Sequence, residues 1–409
     1  MMKKIEGGVT AAEGFEAAAV HAEIKKGSTK DDMALVYSRT ECVCAGVFTT
    51  NVVKAAPVIW DMQLVESKKG VHGMIFNSGI ANACSGEEGR KSNYAMAESA
   101  ASAMGVETDQ ILTASTGVIG YQLPVEKVVR GAKELCGALS HGREAAHEAA
   151  VAIMTTDTIP KECAVEFTLQ GKTVRLGGMT KGSGMIHPNM ATMLCCITTN
   201  CAITKEMLQK ALSADVKKTF NMISVDRDTS TNDTYILMAN GLAGNPVIDR
   251  EGEDFDTFCE ALSEVSTCLA KLMAGDGEGA HKLLEVVLSG AESHEQAVTI
   301  SKSVITSNLV KTTMAGNDAN WGRILCAMGY SGAQFDPEQV DLVISSAAGE
   351  LALVKNGIAT DFSEELATNI LSQKEVRVDI DIHMGTESAT AWGCDLTHEY
   401  IDINADYRS

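Results

Sequence analysis

The sequence predicts an α/β (α+β) protein, a layered αββα-type sandwich of mixed sheets covered by helices, and three observations carry that expectation. Apolar runs or alternations at "MALVYS", "GMIFN", "AVEFTLQGKTVRL", "TYILMAN", "LLEVVLSG" and "EVRVDIDIHM" have the length and two-residue period of strands. Phe258, Leu262, Val265, Leu269 and Leu272 recur at the three- and four-residue spacing of one helix face, with Gly275 as the stop. Strands and helices alternate irregularly, which argues against a Rossmann array. Within this order "LQGKT" is a hairpin turn, because a Gly sits between two strand-like halves. Further helices are expected in "NYAMAESAASAM", "VEKVVRGAKELCGAL", "HGREAAHEAAVAIM" and "TKEMLQKALSADVKKTF", whose apolar residues return every three or four positions.

At 409 residues and 45% hydrophobic composition, the chain can bury more than one core. Turn formers and charge in "SGAESHE" follow the apolar strand "LLEVVL", so the expected division is 1–290 as the main unit and 291–409 as a smaller C-terminal α/β domain. With 34 Lys and Arg against 54 Asp and Glu, the net charge of −20 repels a polyanion, and nucleic acid is excluded as a partner class. Glu6, Gly7 and Gly8 interrupt the place where a signal peptide needs an apolar core, and no apolar run approaches about 18 residues; the expectation is a cytoplasmic protein without a membrane span. The 12 cysteines lie in apolar contexts without zinc-type spacing, so they are expected to be buried reduced thiols rather than metal ligands.

Chemistry is expected on Gly-rich loops. "NSGIANACSGEEG", "ASTGVIG", "TKGSGMIHPNMATM" and "MAGDGEG" match neither a Walker A loop nor a dinucleotide fingerprint. "ASTGVIG" offers backbone N–H groups near Thr116 and Gly117 that could serve a tetrahedral oxyanion, or it is an ordinary turn. Thr192 ends a Gly- and Pro-broken loop at the mouth of the apolar "ATMLCCIT". As a nucleophile it needs a base, and its own α-amino group serves if the bond after Ala191 is cut; the competing reading is a structural Thr at a strand start. His187, five residues earlier, reads more simply as a hydrogen-bonding post.

Nine segments occur in one order from residue 48 to 409: "FTTNVVKAAPV", "NSGIANACSG", "STGVIG", "MTTDTIPK", "KGSGMIHPNMATML", "SVDRDTSTNDT", "DGEGAHK", "NWGRI" and "YIDINADYRS". Together they resemble ornithine acetyltransferase, the ArgJ family of arginine biosynthesis. The resemblance implies self-cleavage between Ala191 and Thr192 into chains 1–191 and 192–409 that stay associated, and pairing of two processed units into a heterotetramer. It implies a ping-pong transfer of acetyl from N2-acetylornithine to L-glutamate through an ester on Thr192, a glutamate N-acetyltransferase activity. Thr116 and Gly117 then form the oxyanion hole, Glu278 acts beside Thr192, and Thr155, Lys181, Thr192, Glu278, Asn404 and Ser409 hold substrate. Glu278 is expected to take the substrate ammonium or orient the Thr192 amine, Lys181 to pair with a carboxylate, and the tail carrying Asn404 and Ser409 to close over the ligand.

No cofactor or metal is implied, and acetyl-CoA as a second acetyl donor is left open. The sequence departs from the family pattern at Arg227, where Gly is usual, at His281 (Thr), at Ala319 (Pro) and at Ser409 (Thr). Two other readings stand beside this one: a related N-terminal-nucleophile aminopeptidase or amidohydrolase that gives the acyl group to water, and a non-enzymatic binding protein.

Overall fold

The computed structural model describes residues 2–405 apart from 26, 68 and 188–192, so Ala191, Thr192 and Ser409 lie outside the described residues. The chain forms two compact units: unit 1 is Met1–Gly182, Pro188–Thr219 and Thr229–Leu269, and unit 2 is Ser183–His187, Phe220–Asp228 and Ala270–Ser409. Each is mixed α/β, as the irregular alternation of periods predicted. Among the described residues no helix is long and apolar enough to cross a membrane.

Unit 1 holds nine strands: β1 (Lys3–Ile5), β2 (Phe15–Val20), β3 (Met33–Phe48), β4 (Val71–Ile80), β5 (Ile111–Val118), β6 (Lys161–Leu169), β7 (Lys172–Lys181), β8 (Leu194–Thr199) and β9 (Thr234–Ala239). They run in the order β1-β6-β7-β8-β9-β3-β4-β5, with β2 beside β3. The pairs β4–β5 and β8–β9 are parallel and the others antiparallel. β3 serves both halves of the sheet: Met33–Tyr37 pair with β4, whereas Val43–Phe48 pair with β9. Its exposed centre, Arg39, Thr40 and Glu41, interrupts the apolar pattern, and there the register with β4 shifts. Gln170 and Gly171 join β6 to β7 at the expected two-residue hairpin.

Alternation in these strands sorts side chains onto two faces. Ala34, Val36, Cys196, Ile236 and Met238 enter one buried cluster, together with Ala145, Ala146, Ala149 and Ala150 of helix α4. Leu35, Tyr37 and Ile75 enter another with Met96, Ala97, Ala100, Val128 and Leu135. The helices concerned are α1 (Ala56–Glu66), α2 (Gly86–Met104), α3 (Val125–Ala138), α4 (Arg143–Ala152), α5 (Lys205–Asp215) and α6 (Glu253–Gly275). Small residues on α4 let backbones approach closely, so the low aromatic content of 5% is matched by alanine packing.

One expectation about the cysteines is corrected. Cys163 of β6 and Cys268 of α6 form a disulfide, and Cys84 and Cys326 are exposed. Residues 105 positions apart met because the hairpin strand and the helix pack together, a proximity without a local signature. Cys42, Cys44, Cys195, Cys196, Cys201 and Cys394 are buried free thiols as expected.

Unit 2 carries the second sheet: β10 (Leu283–Ala291), β11 (Asp341–Ser346), β12 (Gly349–Lys355), β13 (Ile358–Ala359), β14 (Glu375–Asp381) and β15 (Glu387–Cys394), in the order β13-β12-β11-β14-β10-β15. Helices α7 (His294–Thr306), α8 (Asn308–Gly316), α9 (Trp321–Gly329), α10 (Glu364–Leu371) and α11 (His398–Ala405) complete it. β10 pairs with β14 and β15, so it belongs with the C-terminal strands. The division therefore falls at Leu269/Ala270 rather than at 290/291, and unit 2 also takes up two short earlier segments.

Candidate active-site residues in each unit

In unit 1, the end of β7 brings Lys181 to the end of β5. Its Nζ lies 2.7 Å from Thr155 Oγ1 and 3.3 Å from Thr116 Oγ1. Three of the expected residues are thus joined by one ammonium, although they stand far apart in the chain. Gly117 follows on β5 opposite Gly79 of β4, with φ at 126°. A Cβ there would come within 2.2 Å of the Gly79 carbonyl carbon, so only glycine permits this strand approach. The expectation of a plain turn at "ASTGVIG" is revised: its residues through Val118 are strand, held by pairing with β4.

Behind Lys181 stands a residue that the motif reading passed over. Asp157 accepts from Lys161 Nζ at 2.7 Å, from Gly182 N at 2.7 Å and from Thr155 N at 3.0 Å, and it lies 3.7 Å from Lys181 Nζ. Burial by itself raises its pKa, but the Lys181 and Lys161 ammoniums and these donors outweigh it and hold the carboxyl well below the usual range. Asp157 therefore fixes Thr155, Lys181 and the start of the loop after β7 as one ionised cluster. The four-residue spacing of Asp157 and Lys161 in "DTIPK" was the available signal. Lys25 adds a third basic group: its Nζ donates to the Met154 carbonyl at 2.7 Å, and burial lowers its pKa to about 8.

Asp233 is the second omission. It is buried just before β9, and among the described residues neither carboxylate oxygen has a hydrogen-bond partner. Burial pushes its pKa well up, while the neighbouring Thr49 hydroxyl, the Met193 N–H and the Lys181 charge pull it down. Met193, which follows Thr192, is tied to this strand through its carbonyl, which accepts from Thr234 N at 2.8 Å.

Unit 2 holds the segment that precedes the expected cleavage point. Asp226 accepts from Met185 N at 2.6 Å and Ile186 N at 2.8 Å, and the Tyr400 hydroxyl donates to it at 3.4 Å. His187 Nδ1 lies 3.1 Å from Ser224 Oγ, and burial first, then Lys302 and Arg227, lower its pKa to about 4. A neutral hydrogen-bonding post is what that describes. Gly184 passes so close to Glu278 that a Cβ would stand 2.3 Å from its carboxylate. The Glu278 N–H donates to the Ser183 carbonyl at 3.0 Å, and its side chain accepts from Asn404 Nδ2 at 2.7 Å. Asn404 lies on α11, so the C-terminal residues are helical up to Ala405.

A buried ammonium bound to two hydroxyls in unit 1 and a buried carboxylate bound to an amide in unit 2 are groups able to pair with a carboxylate and an ammonium, respectively. Comparison with known proteins makes the class specific. The ArgJ family model matches residues 16–409. The arginine biosynthesis bifunctional protein ArgJ of Thermotoga neapolitana is 47% identical over 397 residues, covering 97% of this chain and 99% of that protein. The protein of the same name from Caldanaerobacter subterraneus subsp. tengcongensis is 47% identical over 409 residues, covering 100% of both. The crystal structure of ornithine acetyltransferase from Mycobacterium tuberculosis complexed with ornithine is 37% identical, covers 47% of this chain and 100% of its own, and has a TM-score of 0.43. The chain belongs to the ArgJ family.

Proposed function

We propose that this protein is a self-processing acetyltransferase that moves acetyl from N2-acetylornithine to L-glutamate through an ester on Thr192. The observation that carries the reading is the Lys181 ammonium held against Thr155 and Thr116 with Asp157 behind it. It supplies a fixed cation for a substrate carboxylate beside a hydroxyl suited to an oxyanion. The relatives' shared name, which pairs arginine biosynthesis with two activities, supports the same assignment.

In this reading the Thr192 hydroxyl first attacks the Ala191 carbonyl, the acyl group shifts from N to O and so frees the α-amine of Thr192, and water then hydrolyses the ester, releasing the Ala191 carboxylate and restoring the hydroxyl. That amine, with an ordinary pKa of about 7.7–8.0, takes the hydroxyl proton in each later attack. The hydroxyl adds to the acetyl carbonyl of N-acetylornithine, and the Gly117 N–H and Thr116 Oγ–H stabilise the oxyanion. Collapse passes the proton to the departing amine of ornithine and leaves acetyl-Thr192. Glutamate's neutral amine then attacks the ester and regenerates the hydroxyl. Glu278, with its orientation held by Asn404, takes the ammonium of the substrate; acetyl-CoA serves as a second acetyl donor for N-acetylglutamate. The cleaved fragments remain partners, two processed units form the heterotetramer, and the protein works in the cytoplasm.

Thr192→Ala should yield a single uncleaved band on a denaturing gel and no transfer, and Thr192→Ser partial processing. Normal acetylation of glutamate by Thr192→Ala would remove this mechanism. Free acetate as the main product, with glutamate present, would favour the amidohydrolase reading.

A further inference from the structure

Unit 2 contains a cavity of about 300 Å³ that the proposed transfer does not use. The loop before unit 2's second break, the starts of α8 and α9, and the end of α9 line it, with Arg227, Asn320, Arg323, Leu309, Cys326 and Tyr330 the residues that matter. In a chain of net charge −20, this cavity gathers two guanidiniums and has no Asp or Glu among its lining residues. Arg323 is aimed: its Nη1 donates to the Leu309 carbonyl at 3.1 Å and lies 3.3 Å from Thr312 Oγ1, which fixes the plane and leaves its other N–H groups for a ligand. Among the described residues neither arginine has a carboxylate within 4.0 Å. Asp226, beside Arg227 in the chain, is already engaged by the Met185 and Ile186 N–H groups.

Arg227 takes up this position at φ 74°, the left-handed backbone that suits the glycine usual there by family resemblance. Arg227 is an exposed residue. Among the lining residues, Tyr330 is 61% exposed and Leu309 57%, so the cavity offers accessible apolar surface as well as charge. Paired guanidiniums match phosphate oxygens by charge-assisted forks, and an exposed aromatic ring is a stacking surface for a base. The volume is at the small end of ligand sites, roughly 300–1,000 Å³, enough for one phosphorylated group and part of what it carries.

We propose that this cavity is a subsite for a phosphorylated nucleoside, such as the nucleotide end of a coenzyme A thioester. The choice of that donor rests on the acetyltransferase reading; the recognition of phosphate does not. Free inorganic phosphate shares the chemistry and is separated by the test. The processed protein is titrated calorimetrically with adenosine 3′,5′-bisphosphate, inorganic phosphate and adenosine. The bisphosphate should bind, more tightly than phosphate or adenosine, and at least tenfold more weakly in Arg227→Gly and Arg323→Gln. Arg227→Gly relaxes the backbone, so its loss of binding is not a folding defect. Saturating bisphosphate should also slow iodoacetamide labelling of Cys326 several-fold while Cys84, likewise exposed, reacts at its usual rate.

Unchanged affinity in both variants, or unprotected Cys326 at saturation, overturns the site. Equal affinity for bisphosphate and inorganic phosphate overturns the nucleoside part and assigns the cavity to free phosphate. Acetyl exchange between N-acetylornithine and glutamate is measured in the same preparation: exchange without nucleotide binding sinks this proposal alone, and binding without exchange sinks the acetyltransferase reading alone.

Discussion

Asp157 and Lys161 form an ion pair at 2.7 Å in which both side chains are fully buried, and the same carboxylate steadies Lys181 at 3.7 Å. Asp157→Asn removes the carboxylate that neutralises the buried Lys161 ammonium, and breaking a buried pair costs roughly 3–5 kcal/mol. Denaturant titration should show that loss, and Asp157→Asn combined with Lys161→Met should recover most of it. The carboxyl's pKa is depressed in the folded state, so its contribution is present above the unfolded value of about 4 and fades as pH falls towards the folded value. Acid unfolding should accordingly be less steep in Asp157→Asn; an identical acid limb would refute the charge argument.

Gly117→Ala places a methyl against the Gly79 backbone in a conformation that L side chains avoid. A loss of roughly 3 kcal/mol is expected by thermal or chemical unfolding. Thr116→Val isolates the oxyanion role without that clash. Its kcat should fall about 10²-fold while the unfolding midpoint hardly moves. Unaltered kcat would take Thr116 out of the reaction.

Asn404→Ala removes the 2.7 Å hydrogen bond to Glu278. Hydrogen bonds to charged groups are worth about 1.5–3 kcal/mol, so kcat/KM should drop about tenfold or more. Deleting residues 405–409 should raise KM or divert acetyl from glutamate to water. Kinetics indifferent to both changes would discard the closing role of the tail.

Asp215 is buried beside the Tyr235 and Thr219 hydroxyls, both at 3.4 Å from Oδ2, and one of its oxygens has no partner among the described residues. Burial raises its pKa to about 6, with the surrounding hydroxyls only partly offsetting the effect. Between about pH 4 and 6 the native state keeps a proton that the unfolded chain releases, so this group makes stability fall as pH rises. Asp215→Asn should be more stable than the parent at pH 8 by about 1–3 kcal/mol, with the gap closing towards pH 4. A gap independent of pH would show that the carboxyl does not titrate in this window.

Joining Cys163 to Cys268 closes a loop of 105 residues, and loop entropy alone assigns such a link roughly 4–5 kcal/mol. Cys163→Ser should be less stable than the parent by a few kcal/mol without reductant. The two should coincide once the parent is reduced. A gap that survives reduction would trace to packing of the sulfur instead.

Local information carried far in this chain. Strand alternation, the one-sided apolar face of α6 with its stop at Gly275, and the hairpin at Gln170 and Gly171 were legible, because each depends on residues within about one turn or one strand; Thr155, Lys181, Glu278 and Asn404 were singled out by the resemblance of their motifs to a family instead. The αββα expectation was right in its mixed α/β class. What sequence alone did not disclose is non-local. The two-way pairing of β3, the allegiance of β10 to the C-terminal sheet, the Cys163–Cys268 link, Asp157 as the counter-charge behind Lys181, and the gathering of Arg227 with Arg323 arise only when segments remote in the chain pack. Periodicity reports which face of an element avoids water. Which other element covers that face, and which charges must then neutralise one another once water is gone, is settled by packing in three dimensions.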